Sequence, residues 1–138
     1  MSDQKHLMIK IALDAWTSHV KRIDKLLDSL SDEDLQKEVA PGRNRGIYLL
    51  GHLTGVHDKL LPLLDLGEQL HPELDNIFLI HADKTIKEIP SAKELRNYWK
   101  EINEKLAKDF NDLTLDEWFE KHTAVSMKIL LKSHLETD

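Results

Sequence analysis

The sequence predicts an all-α protein, a four-helix bundle with long crossover connections. Apolar residues recur at three- and four-residue spacing over several long stretches, as on one face of a helix. No stretch alternates apolar and polar residues in the way a half-buried strand does. The chain has 138 residues, 41% of them hydrophobic, which predicts a single domain over residues 1–138 with a core of its own.

The first helix is predicted over about Asp3–Leu30. Its apolar positions are Met8, Ala12, Ala15, Trp16, Ile23, Leu26, Leu27 and Leu30. At about 1.5 Å per residue this helix is about 40 Å long, the length of a bundle member. Ser31 then caps a short helix that reaches Lys37 and has acidic residues in its first turn. Ala40-Pro41-Gly42 ends that helix.

A second long helix is predicted over about Asn44–Leu66, with Asn44 as its cap and Gly67 at its C-terminal end. Its apolar positions are Ile47, Leu49, Leu50, Leu53, Val56, Leu60, Leu63 and Leu64. Arg43-Asn44-Arg45 favours a turn over a phosphate site. Pro62 interrupts the hydrogen bonds of the last turn.

Two glycines, Gly51 and Gly55, lie one turn apart in this helix, beside His52. In a helix each glycine costs about 1 kcal/mol relative to alanine. We therefore expect close packing or a binding site at this position, where another backbone or a ligand approaches the helix.

The stretch Glu68–Pro90 loses helical periodicity and predicts a long crossover with one helical turn. Its expected apolar anchors are Ile77, Phe78 and Ile80. A third long helix begins at the capping box formed by Ser91 and Glu94. Its apolar positions are Leu95, Tyr98, Trp99, Ile102, Leu106, Phe110 and Leu113.

The C-terminal part begins with Thr114 and Glu117, which predict a short helix containing Trp118 and Phe119. The fourth main helix, Val125–Leu135, is about half as long as the first. A short fourth helix leaves part of the other apolar faces uncovered, and an apolar patch of several hundred Å² usually binds a partner. We therefore expect a symmetric homodimer.

Charge and composition exclude several classes of function. The chain has 25 acidic and 19 basic residues and a net charge of -6, so a nucleic-acid surface is not expected. The absence of cysteine excludes disulfides, thiolate metal sites and a cysteine nucleophile. The longest uncharged apolar stretch, Ile47–Val56, is shorter than the roughly 20 residues of a membrane span. With no signal-peptide core at the N-terminus, the expected location is the cytoplasm, with no membrane partner.

Histidine is the one abundant residue type that forms sites. At 100° per residue, His19 projects from the centre of the first apolar arc, and His134 shares the apolar face of the fourth helix. His52 and His57 project toward opposite edges of the second arc. Three helices thus direct imidazoles at a common core, and imidazole binds zinc, nickel or iron. The alternative is that each is a core-edge histidine hydrogen-bonded to a neighbour, since no His-x-x-x-His pair occurs.

A family resemblance lies in the residues from Gly46 to Leu64, GIYLLGHLTGVHDKLLPLL, followed by GEQLHPEL from Gly67 to Leu74. This region resembles the DinB-like superfamily, and the first and third helices extend the resemblance. It implies a four-helix bundle, frequent dimers and, in many members, a divalent metal held by one second-helix histidine and a His-x-x-x-His pair on the last helix. His52, in its Gly-His-Leu setting, matches the second-helix ligand. His134 alone stands in for the pair.

Two functions are consistent with these residues. In the first, the chain is a degenerate, non-catalytic DinB-like bundle with an incomplete metal site. In the second, His52 and His134, with His19 or His57, hold a zinc, nickel or iron ion. The bound water then attacks a small molecule, as the hydrolases and thiol transferases among the relatives imply. We favour the first because a catalytic zinc site usually needs three fixed ligands and only one is matched.

Overall fold

The computed structural model describes residues 2–118. Four α-helices occur in this part of the chain: α1 (Ser2–Ser29), α2 (Asp32–Leu35), α3 (Gly46–Leu63) and α4 (Ala92–Asp112). A π-helical segment, Asp75–Ile80, lies between α3 and α4. No strand is present in residues 2–118, which confirms the all-α prediction. The predicted fourth main helix, Val125–Leu135, lies outside the described residues.

Local sequence signals fix three helix starts as predicted. At α2, the Ser31 hydroxyl accepts the Asp34 N–H at 3.0 Å, and the Asp34 carboxylate accepts the Ser31 N–H at 3.0 Å. At α4, Ser91 and Glu94 form the same reciprocal pair. A third pair, Thr114 with Glu117, begins the helical turn at 115–118.

The N-terminal end of α3 differs from the prediction. The cap is Arg45, not Asn44, and its side chain makes no capping hydrogen bond. Instead, the Arg45 guanidinium donates to the Asp83 carboxylate at 2.8 and 3.1 Å, and the Arg45 N–H donates to it at 2.8 Å. Asn44 belongs to the preceding turn, where its carbonyl accepts the Val39 N–H at 3.0 Å. The expected turn is thus confirmed, and Arg45 is bound to a carboxylate from the crossover.

The C-terminal end of α3 also differs. The left-handed residue that ends the helix is Asp65, with φ 58°, whereas Gly67, at φ 137°, lies farther along the loop. The Asp65 N–H donates to the Pro62 carbonyl at 3.2 Å, and the Leu66 N–H donates to the Leu61 carbonyl at 2.7 Å. These two bonds are a Schellman ending, and it comes early because Pro62 has already removed one N–H from the last turn.

The crossover packs on α3 through side chains that were only partly predicted. Phe78 is 1% exposed and Leu74 is fully buried, whereas Ile80 is 71% exposed. Ile80 is therefore wrong as an anchor, and Leu74 takes that role. A Cβ on Gly51 would lie 2.5 Å from the Phe78 ring, so close packing at this glycine is confirmed. The approaching group is a phenylalanine of the same chain.

Two apolar clusters form the core, one toward each end of the helices. The first includes Leu35, Ile47, Leu50, Leu74, Phe78, Leu95 and Trp99, and the second includes Leu61, Ile102, Leu106, Phe110 and Trp118. Leu27 is the one buried side chain among those described in α1. Leu7, Met8, Ile11 and Leu26 of α1 are 57–61% exposed. These side chains form exposed apolar surface on α1, while the short fourth helix from which such surface was predicted lies outside the described residues. None of the helices within residues 2–118 is long and apolar enough to cross a membrane.

Arg96 of α4 holds the C-terminal end of α1. Its guanidinium donates to the carbonyls of Leu27 and Leu30 at 2.7 Å each and to the Asp32 carboxylate at 2.9 Å. The last turn of α1 has no basic residue of its own. A cation from another helix therefore satisfies the terminal carbonyls and the negative end of the helix dipole.

Candidate functional site

His52 lies on α3 against the π-helical segment. Its Nδ1 is 2.9 Å from the Phe78 carbonyl oxygen, and its ring stacks on Tyr48 with centroids 6.3 Å apart. A carbonyl oxygen can only accept, so in the neutral ring Nδ1 carries the hydrogen and Nε2 carries the lone pair. Metal-binding histidines are commonly oriented by such a carbonyl.

His19 lies on the exposed side of α1, so its predicted place at the centre of a buried face is wrong. The prediction treated all apolar positions of α1 as one buried arc. Several of them are exposed: Met8, Ala12, Ala15 and Leu26. The side chains that do pack are Ile9, Leu13, Trp16, Val20, Ile23 and Leu27. The covered arc is therefore rotated away from His19, which lies at its edge beside the rings of Trp16 and His57, at 6.5 and 6.2 Å.

His57 is a buried histidine, 4% exposed, between two tryptophans. The rings of Trp16 and Trp99 each lie 4.7 Å from it, centroid to centroid. Its Nδ1 is 2.7 Å from Asn103 Oδ1. Burial lowers the pKa of His57, the hydrogen bond to Asn103 opposes that effect, and the nearby His19 adds to it. The His57 imidazole is therefore neutral near pH 7.

The structure brings His19 to His57 and places His52 in different surroundings. His52 and His57 are five positions apart on α3, so they project about 140° apart. Within residues 2–118, no group of three or more His, Asp or Glu side chains is arranged to hold a metal ion. His134 lies outside that range. The set His19, His52 and His134 therefore stays a prediction.

Two polar core residues were missed by the sequence reasoning. Asn103 binds His57, and its Nδ2 donates to the Trp99 carbonyl at 2.8 Å. Asp58 is fully buried, and its carboxylate accepts the backbone N–H groups of Leu70 and His71 at 2.9 Å each. In the sequence, each of the two lies directly beside apolar positions of a long helix, and this pattern could have indicated a buried polar residue.

The loop after α3 is also held on its outer side. The His71 ring stacks on Tyr98 with centroids 3.8 Å apart, and its Nε2 is 2.8 Å from the Glu101 carboxylate. His71 thus links the start of the crossover to α4. Its role in these contacts is structural.

A groove of about 500 Å³ runs between α1 and α4. Its lining combines Asp24, Asp28 and Glu104 with Arg96 and Lys100. The Trp99 indole N–H donates to Asp24 at 2.7 Å and joins the two helices at this level. The volume lies in the range of small-molecule sites, while the mixed charge selects no single ligand class.

The sequence also matches a known protein family. The sequence profile of the DinB superfamily matches residues 15–128. The chain belongs to the DinB superfamily. The match includes α3 with His52, so the resemblance seen around Gly46–Leu74 is confirmed and extends over most of the chain. A search of curated proteins found no match.

The divalent metal that the DinB resemblance implies needs about three protein ligands at a catalytic zinc site. Residues 2–118 of this DinB protein contain His52, which the resemblance matches to the second-helix ligand and whose Nδ1 is bound to the Phe78 carbonyl. The rings of His19 and His57 lie close to each other, on a different side of α3 from His52. The described residues alone therefore do not fit a three-ligand metal site.

Proposed function

We propose that this DinB protein is a non-catalytic bundle with an incomplete metal site, which acts as a binding scaffold. The supporting observation is that its core-edge histidines are held by structural contacts. His52 and His81 bind main-chain carbonyls at 2.9 and 2.7 Å. His57 binds the Asn103 amide, and His71 binds the Glu101 carboxylate. Each contact holds its histidine against a neighbouring segment of the fold, inside the core at His57 and nearer the surface at His71 and His81.

Elemental analysis of protein purified without chelator tests this proposal. We expect His52→Ala to leave the metal content of the protein unchanged. His6→Ala, which removes an exposed histidine of α1, is the matched control. One metal ion per wild-type chain, lost in His52→Ala and kept in His6→Ala, would contradict the proposal.

A divalent-metal-dependent hydrolase or thiol transferase acting on a small molecule is the second candidate. The orientation of His52 favours it, because the Phe78 carbonyl fixes Nδ1–H and leaves Nε2 for a ligand bond. His134, outside the described residues, would be the second ligand. A bound divalent ion would supply a water of lowered pKa. In this case His52→Ala and His134→Ala should both remove the metal and any metal-dependent turnover, while the scaffold proposal expects neither change.

We also propose that the protein is a symmetric homodimer and that a second copy covers the exposed side of α1. Leu7, Met8 and Ile11 lie within about one turn of each other and are 57–61% exposed. Three large apolar side chains so close together form a patch of the kind that binds a partner. A two-fold pairing lets the same patch of each copy cover the other.

A further inference from the structure

We propose that His19 and His57 form a two-histidine site for a divalent transition-metal ion between α1 and α3, separate from His52. The two rings come from different helices, and their centroids are 6.2 Å apart. His57 is buried and His19 is exposed, so the pair joins a fixed ligand to one that faces solvent. This site does not depend on the scaffold function proposed above.

The network around His57 determines which nitrogen is available. Asn103 donates through Nδ2 to the Trp99 carbonyl, so its Oδ1 is the atom that faces His57 Nδ1. Since Oδ1 only accepts, the hydrogen of the neutral imidazole lies on Nδ1. Nε2 then carries the lone pair, which is the form of imidazole that binds metals.

Within residues 2–118, the hydrogen bond of His57 is made by Nδ1. Nε2 is therefore the nitrogen that this network leaves for a metal bond. The His57 side chain is 4% exposed, and His19 is exposed. An ion bound by both would lie at the solvent edge of the core.

The distance between the rings suits a shared ion. With metal–nitrogen bonds of about 2.0–2.1 Å, an imidazole centroid lies about 3.2 Å from the metal, so two ligating rings can be up to about 6.4 Å apart. The observed 6.2 Å lies just inside that limit. His19, at the exposed edge of α1, has room to adjust, whereas Trp16 and Trp99 hold the His57 ring in place. This separation places the two nitrogens on nearly opposite sides of the ion, an arrangement that suits tetragonal copper or nickel with waters as the remaining ligands, and not tetrahedral zinc.

Titration of the full-length chain with Ni²⁺ alone, followed by calorimetry, tests this site. We expect one binding event per chain, weakened at least tenfold by His19→Ala. The matched control is His6→Ala, another exposed histidine of α1, which should bind as wild type. His57→Gln should also weaken binding. Because that change is in the core, the exposed His19 variant is the decisive one.

A second readout identifies the ligands directly. With one equivalent of Cu²⁺, electron paramagnetic resonance should show two imidazole nitrogens in the wild type and one in His19→Ala. Binding that is unchanged in His19→Ala would overturn the inference. Binding that is kept in His19→Ala and lost in His52→Ala would overturn it as well, and would contradict the scaffold proposal. Loss in His19→Ala with no effect of His52→Ala supports both.

Discussion

At the scale of single residues, the most informative feature is a polar pair inside an aromatic core. His57 and Asn103 are both buried, and each satisfies the other. Sequence reasoning identified His57 as a candidate but missed Asn103, because the pairing joins residues 46 positions apart. It also misplaced His19, because the covered face of α1 is set by contacts such as the bond from Trp99 to Asp24. Contacts of this kind are not encoded in helical spacing.

The first prediction concerns Asn103. In Asn103→Leu the His57 Nδ1–H loses its acceptor inside the core. Leaving a buried polar group unsatisfied costs about 1–3 kcal/mol, so the free energy of unfolding should fall by that amount. Urea denaturation measures it. Asn97→Leu, at an exposed position of α4, is the control and should change stability by less than about 0.5 kcal/mol. Equal effects of the two substitutions would show that the pair contributes nothing.

The second prediction concerns pH. Burial lowers the pKa of His57 below its ordinary value of 6.5, so below pH 6.5 the unfolded chain takes up a proton that the folded chain does not. Stability is therefore full above pH 6.5 and falls as the pH drops toward the folded pKa. Hydrogen bonds from Ser31 and Lys84 lower the pKa values of Asp34 and Glu38, respectively. Protonation of these two carboxylates therefore changes the stability of the protein only below about pH 4.5.

Urea denaturation between about pH 5 and pH 7.5 separates these contributions. Wild-type stability should decrease toward pH 5, and His57→Gln should show a shallower slope. The exposed-histidine variant His6→Gln should keep the wild-type slope. A slope that His57→Gln leaves unchanged would assign the effect to other groups.

At the scale of elements, the starts of α2 and α4 followed the sequence, and both ends of α3 did not. The capping boxes at Ser31 and Ser91 are local, since each joins residues three apart, and they formed as expected. The ends of α3 depend on partners that are distant or structural: Asp83 binds Arg45, and Pro62 brings the helix to an early end. The sequence predicted a helical turn in the crossover but not the packing of Phe78 against Gly51, which joins residues far apart along the chain.

The third prediction uses the two glycines of α3 as a matched pair. In Gly51→Ala the new methyl group would lie 2.5 Å from the Phe78 ring, and such overpacking costs about 1–3 kcal/mol. In Gly55→Ala the nearest atoms, of Leu79, are at 3.5 Å, an ordinary contact. Alanine is the better helix former by about 1 kcal/mol, so Gly55→Ala should be neutral or stabilising. Thermal unfolding distinguishes them, and the opposite order would refute the packing described here.

At the scale of the whole molecule, α1 is the least covered of the long helices described here. Its C-terminal end is held by Arg96, while Leu7, Met8 and Ile11 remain exposed near its start. The sequence predicted uncovered apolar surface from the length of the fourth helix, which lies outside residues 2–118, so that explanation of the exposed α1 side chains stays a prediction. Helical periodicity does not show whether a second copy of the chain binds to that surface.

The fourth prediction concerns association. Ile11→Glu puts a charge into the proposed dimer contact and should convert a dimer into a monomer at micromolar concentration. Ile80→Glu, at an exposed position on the π-helical segment, should leave the dimer intact. Analytical ultracentrifugation measures both. A monomeric wild type would refute the homodimer.

The central claim is that His52 acts as a structural group of a DinB bundle and not as a metal ligand. Long-range ¹H–¹⁵N NMR of the histidine rings, recorded before and after one equivalent of Zn²⁺, tests it most directly. We predict that His52 shows hydrogen on Nδ1, as its bond to the Phe78 carbonyl requires, and that the Nε2 signal does not move when zinc is added. A large zinc-induced shift of His52 Nε2 would contradict the claim and favour the metal-dependent enzyme.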